Sequence, residues 1–172
     1  MTDTKYVTIT GTGAIQKNTL QREFLAPVET LWEMITSVEK LRHWWLDWQP
    51  GGIIEPKEGG QITLDDGSWI DGRITQWQPP HIFAFTWHEH LGDAERPSWF
   101  EEKTKSLLHI DLVTIADGQT MMTLSQFISA ENAIGGAAGW HHFAENLAEY
   151  LEHGKTVLRP ERFDQLVKLY SN

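Results

Sequence analysis

The most ligand-like string in the 172-residue chain is His88-Glu89-His90. On a strand, alternate side chains share one face, so the two histidines could hold Zn²⁺ if a third ligand came from elsewhere. The sequence offers no obvious third ligand, and the run leads into an acidic loop. It reads as a solvated strand end, with no metal and no cofactor expected. His141 and His142 diverge by about 100° on a helix and cannot chelate one ion, although His141 flanks an apolar stripe and could reach a cavity. Gly11 to Gln16 (GTGAIQ) lacks the third glycine of a dinucleotide fingerprint and precedes a strand, so it reads as an N-terminal turn. GGAAG at Gly135 to Gly139 has no phosphate-binding lysine; small residues there let a helix start lie close to a sheet or a ligand. Asp71, Arg73, His109 and Asp111 are titratable residues on strands. If Leu108, Ile110 and Leu112 face inward, His109 and Asp111 face water, just as inward Phe83, Phe85 and Trp87 leave Thr86 and His88 outside. No nucleophile is paired with a base, so no catalytic residue is assigned and enzyme activity stays open.

The elements that would carry these residues follow from periodicity. Leu20, Arg22 and Phe24 begin an alternation within 14–24 that predicts a first strand. Pro27 then opens a helix with Val28, Leu31, Trp32 and Ile35 on one face. Thr36 and Glu39 have capping-box spacing for a second helix, whose inner stripe is Val38, Leu41 and Trp45. Glycine turns then separate short strands, and 69–78, 82–89, 107–115 and 120–128 read as an antiparallel meander. GWHHFAENLAEYLEHG forms a long helix with Trp140, Ala144, Leu147 and Leu151 on one side and Glu145, Glu149 and Glu152 opposite, ended by Gly154. The order predicts an α+β fold in which a curved sheet wraps the last helix, and a gap between them becomes a pocket.

Fourteen Lys and Arg against 24 Asp and Glu give a net charge of −10, which repels nucleic acid and anionic membranes. There is no cysteine, excluding disulfides and thiolate chemistry and fitting a reducing compartment. A polar start without a signal-peptide pattern, and no apolar run near the roughly 20 residues of a membrane span, predict a cytoplasmic protein with no membrane span. Nine Trp, seven Phe and three Tyr exceed what a core of this size needs and point to a cavity.

APVETLWEMITSVEKLRHWW, GGQITL, DGRITQWQPPHIFAFTW and AAGWHHFAENLAEYLE together resemble the START-like helix-grip superfamily, the Bet v 1 fold, over residues 14–154. The nearest branch is similar to the family named after the C-terminal domain of the heat-shock-protein-90 ATPase activator. The resemblance rests on Pro27 and Trp32, Trp44 and Trp45, Gly59 and Gly60, Pro79 and Pro80, Phe85 to Trp87, and Gly139 and Trp140. It implies a hydrophobic cavity between sheet and last helix, with no fixed catalytic set. Residues 155–172 extend beyond the usual end of that fold.

The expected function is therefore binding of a small hydrophobic or aromatic molecule, with Trp45, Trp48, Trp69, Phe85, Trp87, Leu108, Ile110, Met122, Trp140 and His141 as candidate lining. A cavity of about 300 Å³ or more would favour it. Trp44 or Trp45 should anchor the short helices while Trp48 looks out at the pocket mouth. The alternatives are a cyclase- or hydrolase-like enzyme using an inward His141, Asp71 or Arg73, and a co-chaperone-type regulator, which only the family name brings in. In the extension, Pro160 can open a short amphipathic helix with Phe163, Leu166, Val167 and Tyr170 on one stripe. That stripe must dock, by expectation on its own domain, with a homodimer as the alternative.

Overall fold

Alternating apolar residues build an antiparallel sheet in the computed structural model, which describes residues 4–45, 51–65, 70–86, 88–89, 108–157 and 159–172. Strand β1 (Val7–Thr10) and β2 (Ile15–Phe24) form a hairpin with Val7 opposite Leu20. The GTG stretch is the turn between them, and Gly11 takes a φ of 108°, which only glycine adopts without strain. The sheet thus starts at Val7, before the predicted first strand; VTIT alternates for only four residues, too few to stand out. Two helices follow, α1 (Val28–Thr36) and α2 (Val38–Leu41). Then come β3 (Gly51–Ile54), β4 (Gln61–Asp65), β5 (Ile70–Gln78), β6 (Ile82–Phe85), β7 (His88–Glu89), β8 (Leu108–Ala116) and β9 (Gln119–Ser129). The spatial order is β1-β2-β9-β8-β6-β5-β4-β3, with β7 paired to β5. The chain closes on itself through β2 and β9, which pair from Ile15 opposite Ser129 to Phe24 opposite Thr120.

One face of this sheet is the core. Leu108, Ile110 and Leu112 of β8 and Met122 and Leu124 of β9 are buried, while His109 and Asp111 between them are partly exposed, as alternation requires. A 3₁₀ turn at Ala130–Asn132 leads into α3 (Ala133–His153), which presents Ala137, Ala138, Trp140, Ala144 and Leu147 to the core. Its first turn lies almost on the strands. A Cβ at Gly136 would come within 2.8 Å of Ile128 Cδ1 and 2.9 Å of Asn18 Nδ2. Asn18 fixes the approach by donating to the Ala133 carbonyl at 2.9 Å.

The short helices close one side of the core. Val28, Leu31, Met34 and Ile35 of α1 are buried, and half-buried Trp32 meets Trp77 edge-on at 5.0 Å. The cap of α2 is Ser37, whose hydroxyl accepts from the Lys40 N–H at 3.4 Å. Thr36, expected in that role, still belongs to α1, and its hydroxyl donates back to the Trp32 carbonyl at 2.7 Å. Trp44 ties the pair together, its indole N–H reaching the Met34 carbonyl at 3.1 Å.

Gly154, at φ 68°, ends α3 and the chain folds back as α4 (Arg162–Ser171). Leu166 and Tyr170 are buried and Val167 partly so, whereas Phe163 at the head of the stripe remains 43% exposed. The fold-back changes the reading of the polar face of α3. Glu145 and Glu149 are half-buried rather than solvated, because Arg162 and Arg159 of the returning segment pair with them; Glu152 stays exposed.

Burying a large apolar side chain contributes about 1.5–3 kcal/mol. Truncation after Gly154, which removes Leu166 and Tyr170, should therefore lower the melting temperature by on the order of 10 °C. Calorimetry checks this, and a truncated chain that melts with the full-length one would mean that α4 contributes nothing to the core.

Candidate functional site

Between the sheet and α3 lies a small cavity, and every described side chain that lines it is apolar. Trp140 and Ala144 come from the inner face of α3, with Phe143 beside them; Trp44 and Trp45 enter from the end of α2. The sheet supplies the floor through β2, β3, β4, β6, β8 and β9, where residues two apart, such as Ile62 and Leu64, point the same way. The indoles of Trp45 and Trp140 meet edge-on at 5.5 Å, and Phe143 stands 5.2 Å from the first and 5.9 Å from the second. The polar end of Trp140 is satisfied away from the cavity, its N–H donating to Gln126 Oε1 at 2.6 Å.

Of the predicted lining, Trp45, Phe85, Leu108, Ile110, Met122 and Trp140 surround this cavity. Trp48, Trp69 and Trp87 lie outside the described residues. His141 is elsewhere: it is buried on the side of α3 turned toward β1 and α4, about 100° around the helix from Trp140. The candidate lining left out Leu124, Phe143 and Ala144, although each carried a signal. Leu124 continues the alternation of Met122, and Phe143 and Ala144 follow Trp140 at i+3 and i+4. The space open to the centre of a water molecule is about 20 Å³, room for one water and far below a ligand pocket of about 300 Å³. No ionisable group among the described residues borders it, so the described lining can exclude water and pack hydrocarbon but cannot move a proton.

The titratable residues gather on another side of α3. Tyr170 of α4 accepts from the Val7 N–H at 3.0 Å and stands 2.9 Å from His141 Nδ1; His141 Nε2 stands 3.2 Å from Glu145 Oε1. All three groups are satisfied when His141 carries its proton on Nε2: the tyrosine then donates to Nδ1 and the imidazole donates to the carboxylate. Arg162 clamps the same carboxylate through Nε at 2.9 Å and a terminal nitrogen at 2.5 Å. Tyr6 covers the imidazole edge-on at 4.8 Å. Burial pushes the Glu145 pKa up, but the hydrogen bonds from Arg162 and His141 outweigh it and hold the carboxyl at about 2. Burial likewise raises the Tyr170 pKa, keeping the phenol neutral. The arrangement joins β1, α3 and α4. Among the described residues, no group of three His, Asp or Glu could hold a metal ion. The side chains of His88 and His90 fall outside the description.

A curved antiparallel sheet closed over a long C-terminal helix, with two short helices after the first hairpin, makes this a protein of the helix-grip fold. Over residues 25–152 the sequence matches the family described as Activator of Hsp90 ATPase homolog 1-like protein, and the chain belongs to that family. No curated protein matches it. Among solved structures, it is similar to a conserved protein of unknown function from Enterococcus faecalis, with a TM-score of 0.72 and 17% identity over 96% of this chain and 88% of that one. It is also similar to CalU16 from Micromonospora echinospora, with a TM-score of 0.68 and 19% identity over 96% and 93% of the two chains. The Aha1 dimer from Colwellia psychrerythraea gives a TM-score of 0.63 and 17% identity over 81% and 98%. Identities this low establish a shared fold.

Because the folded-state pKa of Glu145 is depressed, its contribution to stability is complete above the ordinary carboxyl value of 4.5 and is lost as pH falls toward about 2. Glu145→Gln should therefore destabilise the protein at pH 7, and the gap in melting temperature between it and the natural chain should close between about pH 4.5 and pH 2. A gap that stays constant over this range would contradict the depressed pKa.

Proposed function

We propose that this chain is a cytoplasmic binding protein for a small, neutral hydrophobic or aromatic molecule taken up between the sheet and α3. The observation that carries the reading is the lining, which is apolar throughout its described residues and includes an aromatic cluster of Trp45, Trp140 and Phe143. An apolar void stays dry and gains contacts when a hydrocarbon enters it. The closed cavity, at about 20 Å³, does not admit a ligand as it stands. Uptake requires the lining side chains to part, and the indoles and Phe143 are the bulk that must move. A charged molecule would lose its hydration there with nothing to replace it, which limits the ligand to neutral compounds.

Two other readings stay separable by experiment. Acid–base catalysis on a ligand in the same cavity needs an ionisable wall, and the described lining has none, with Arg73 exposed and His141 on another side of α3. Regulation of a chaperone draws on the family's description, which names activation of the Hsp90 ATPase. A steady-state ATPase assay with that chaperone reports on it directly. A homodimer is the arrangement named for the similar Colwellia structure, and light scattering would reveal one here.

Titrating flat neutral aromatics such as naphthalene should change the tryptophan fluorescence saturably, through Trp45 and Trp140. Ala144→Leu, which fills the void at a stability cost of about 1–3 kcal/mol, should weaken that response about tenfold or more. A response that never saturates, or one equal in the filled variant, would remove the cavity as the binding site.

A further inference from the structure

On the side of α3 turned away from the cavity, a recess of about 380 Å³ opens between β2, α3 and the segment leading into α4. It shares no lining residue with the inner cavity. Two of its carboxylates are already engaged, Glu149 by Arg159 at 2.7 Å and Glu145 by Arg162 at 2.5 Å and His141 at 3.2 Å. A third, Glu152, stands with its side chain 72% exposed, 3.8 Å from His153.

The cation on the opposite wall has no such partner. Arg22 lies with its guanidinium 4.6 Å from the Tyr6 ring centre and 5.5 Å from that of Phe24. Among the described residues it forms no ion pair, and its Nη1 is buried without an acceptor. Burial lowers its pKa, and the fields of Tyr6 and Glu145 act in the other direction. A desolvated guanidinium packed over rings, with a donor unused, is the group in this recess whose fork matches a planar two-oxygen acceptor.

We infer that this recess binds a small monocarboxylate, whose oxygens pair with the Arg22 guanidinium and whose apolar body rests against Ala148. The charge count sets the class. Arg22, Arg159 and Arg162 are matched in number by Glu145, Glu149 and Glu152; with Arg159 and Arg162 paired to Glu149 and Glu145, what remains is Arg22 on one wall and the exposed Glu152 on the other, so the ligand's single charge is met by Arg22 alone. A second negative charge would meet Glu152 and a chain of net charge −10, which disfavours dicarboxylates and phosphate.

The experiment is a nitrogen-15 amide NMR titration of the full chain with sodium benzoate, with benzamide and inorganic phosphate as controls at constant ionic strength. Benzoate should produce saturable shifts at the amides of Arg22, Ala148 and Glu152. Benzamide and phosphate should bind at least about tenfold more weakly, as should benzoate to Arg22→Gln, since a hydrogen-bonded charge is lost. Arg22→Lys, which keeps the charge but not the fork, should fall between. If Arg22→Gln does not fold, the ratio of benzoate to benzamide affinity in the natural chain decides the question. No saturable shift, equal affinity for benzamide, or shifts confined to the inner cavity would each overturn the assignment.

Discussion

The fold depends on burying one face of α3 against the concave face of the sheet. Neither surface is stable alone: a 21-residue helix carrying Trp140, Ala144 and Leu147 on one side, and strands carrying Leu108, Ile110, Leu112, Met122 and Leu124, both need an apolar partner. How closely they approach is set by side-chain size along the helix. Where Gly136, Ala137 and Ala138 meet β2 and β9 the backbone nearly touches the strands. One turn later Trp140 holds the two apart, and the space so created is closed by Trp44, Trp45 and Phe143. Small residues at the helix start and aromatic ones in its middle thus make a wedge-shaped interior whose wider part contains the cavity.

The two ends of the chain are joined by polar contacts. Tyr170 receives the Val7 N–H, and His141 connects it to Glu145 and Arg162, so β1, α3 and α4 share one hydrogen-bonded chain. Every member is satisfied, which is the condition for such a network to add rigidity instead of cost. The effect is to separate two environments on one helix: an apolar side toward the cavity and a charged side toward Arg22, Arg159 and Arg162. Proton chemistry and hydrocarbon packing are therefore kept apart by rotation around α3.

Much of this was legible in the sequence, because it rests on periodicity. The alternation of 108–112 and 122–126, the stripe of α1 and the glycine that ends α3 all follow from local spacing, and six of the ten candidate lining residues surround the cavity. His141 was misplaced because a residue at the edge of an apolar stripe can turn to either side, and what decides it is a tyrosine 29 residues away. The N-terminal strand was missed because four residues of alternation carry little signal. The covering of Glu145 and Glu149 depends on where the tail folds back, which no local pattern encodes. Cavity volume was the least legible quantity. Side-chain identities specify which groups line a space but not how tightly they close, and here the aromatic groups expected to bound a pocket largely fill it.

The central claim is that the apolar space between sheet and α3 admits a neutral hydrophobic molecule. The most direct measurement is methyl NMR of the chain saturated with naphthalene, recording intermolecular nuclear Overhauser effects to assigned methyl groups. The account predicts contacts to the buried methyls of Ile110, Met122 and Leu124. Contacts only to methyls on the outer surface, such as those of Val113 and Ile115, with the buried set silent, would contradict it.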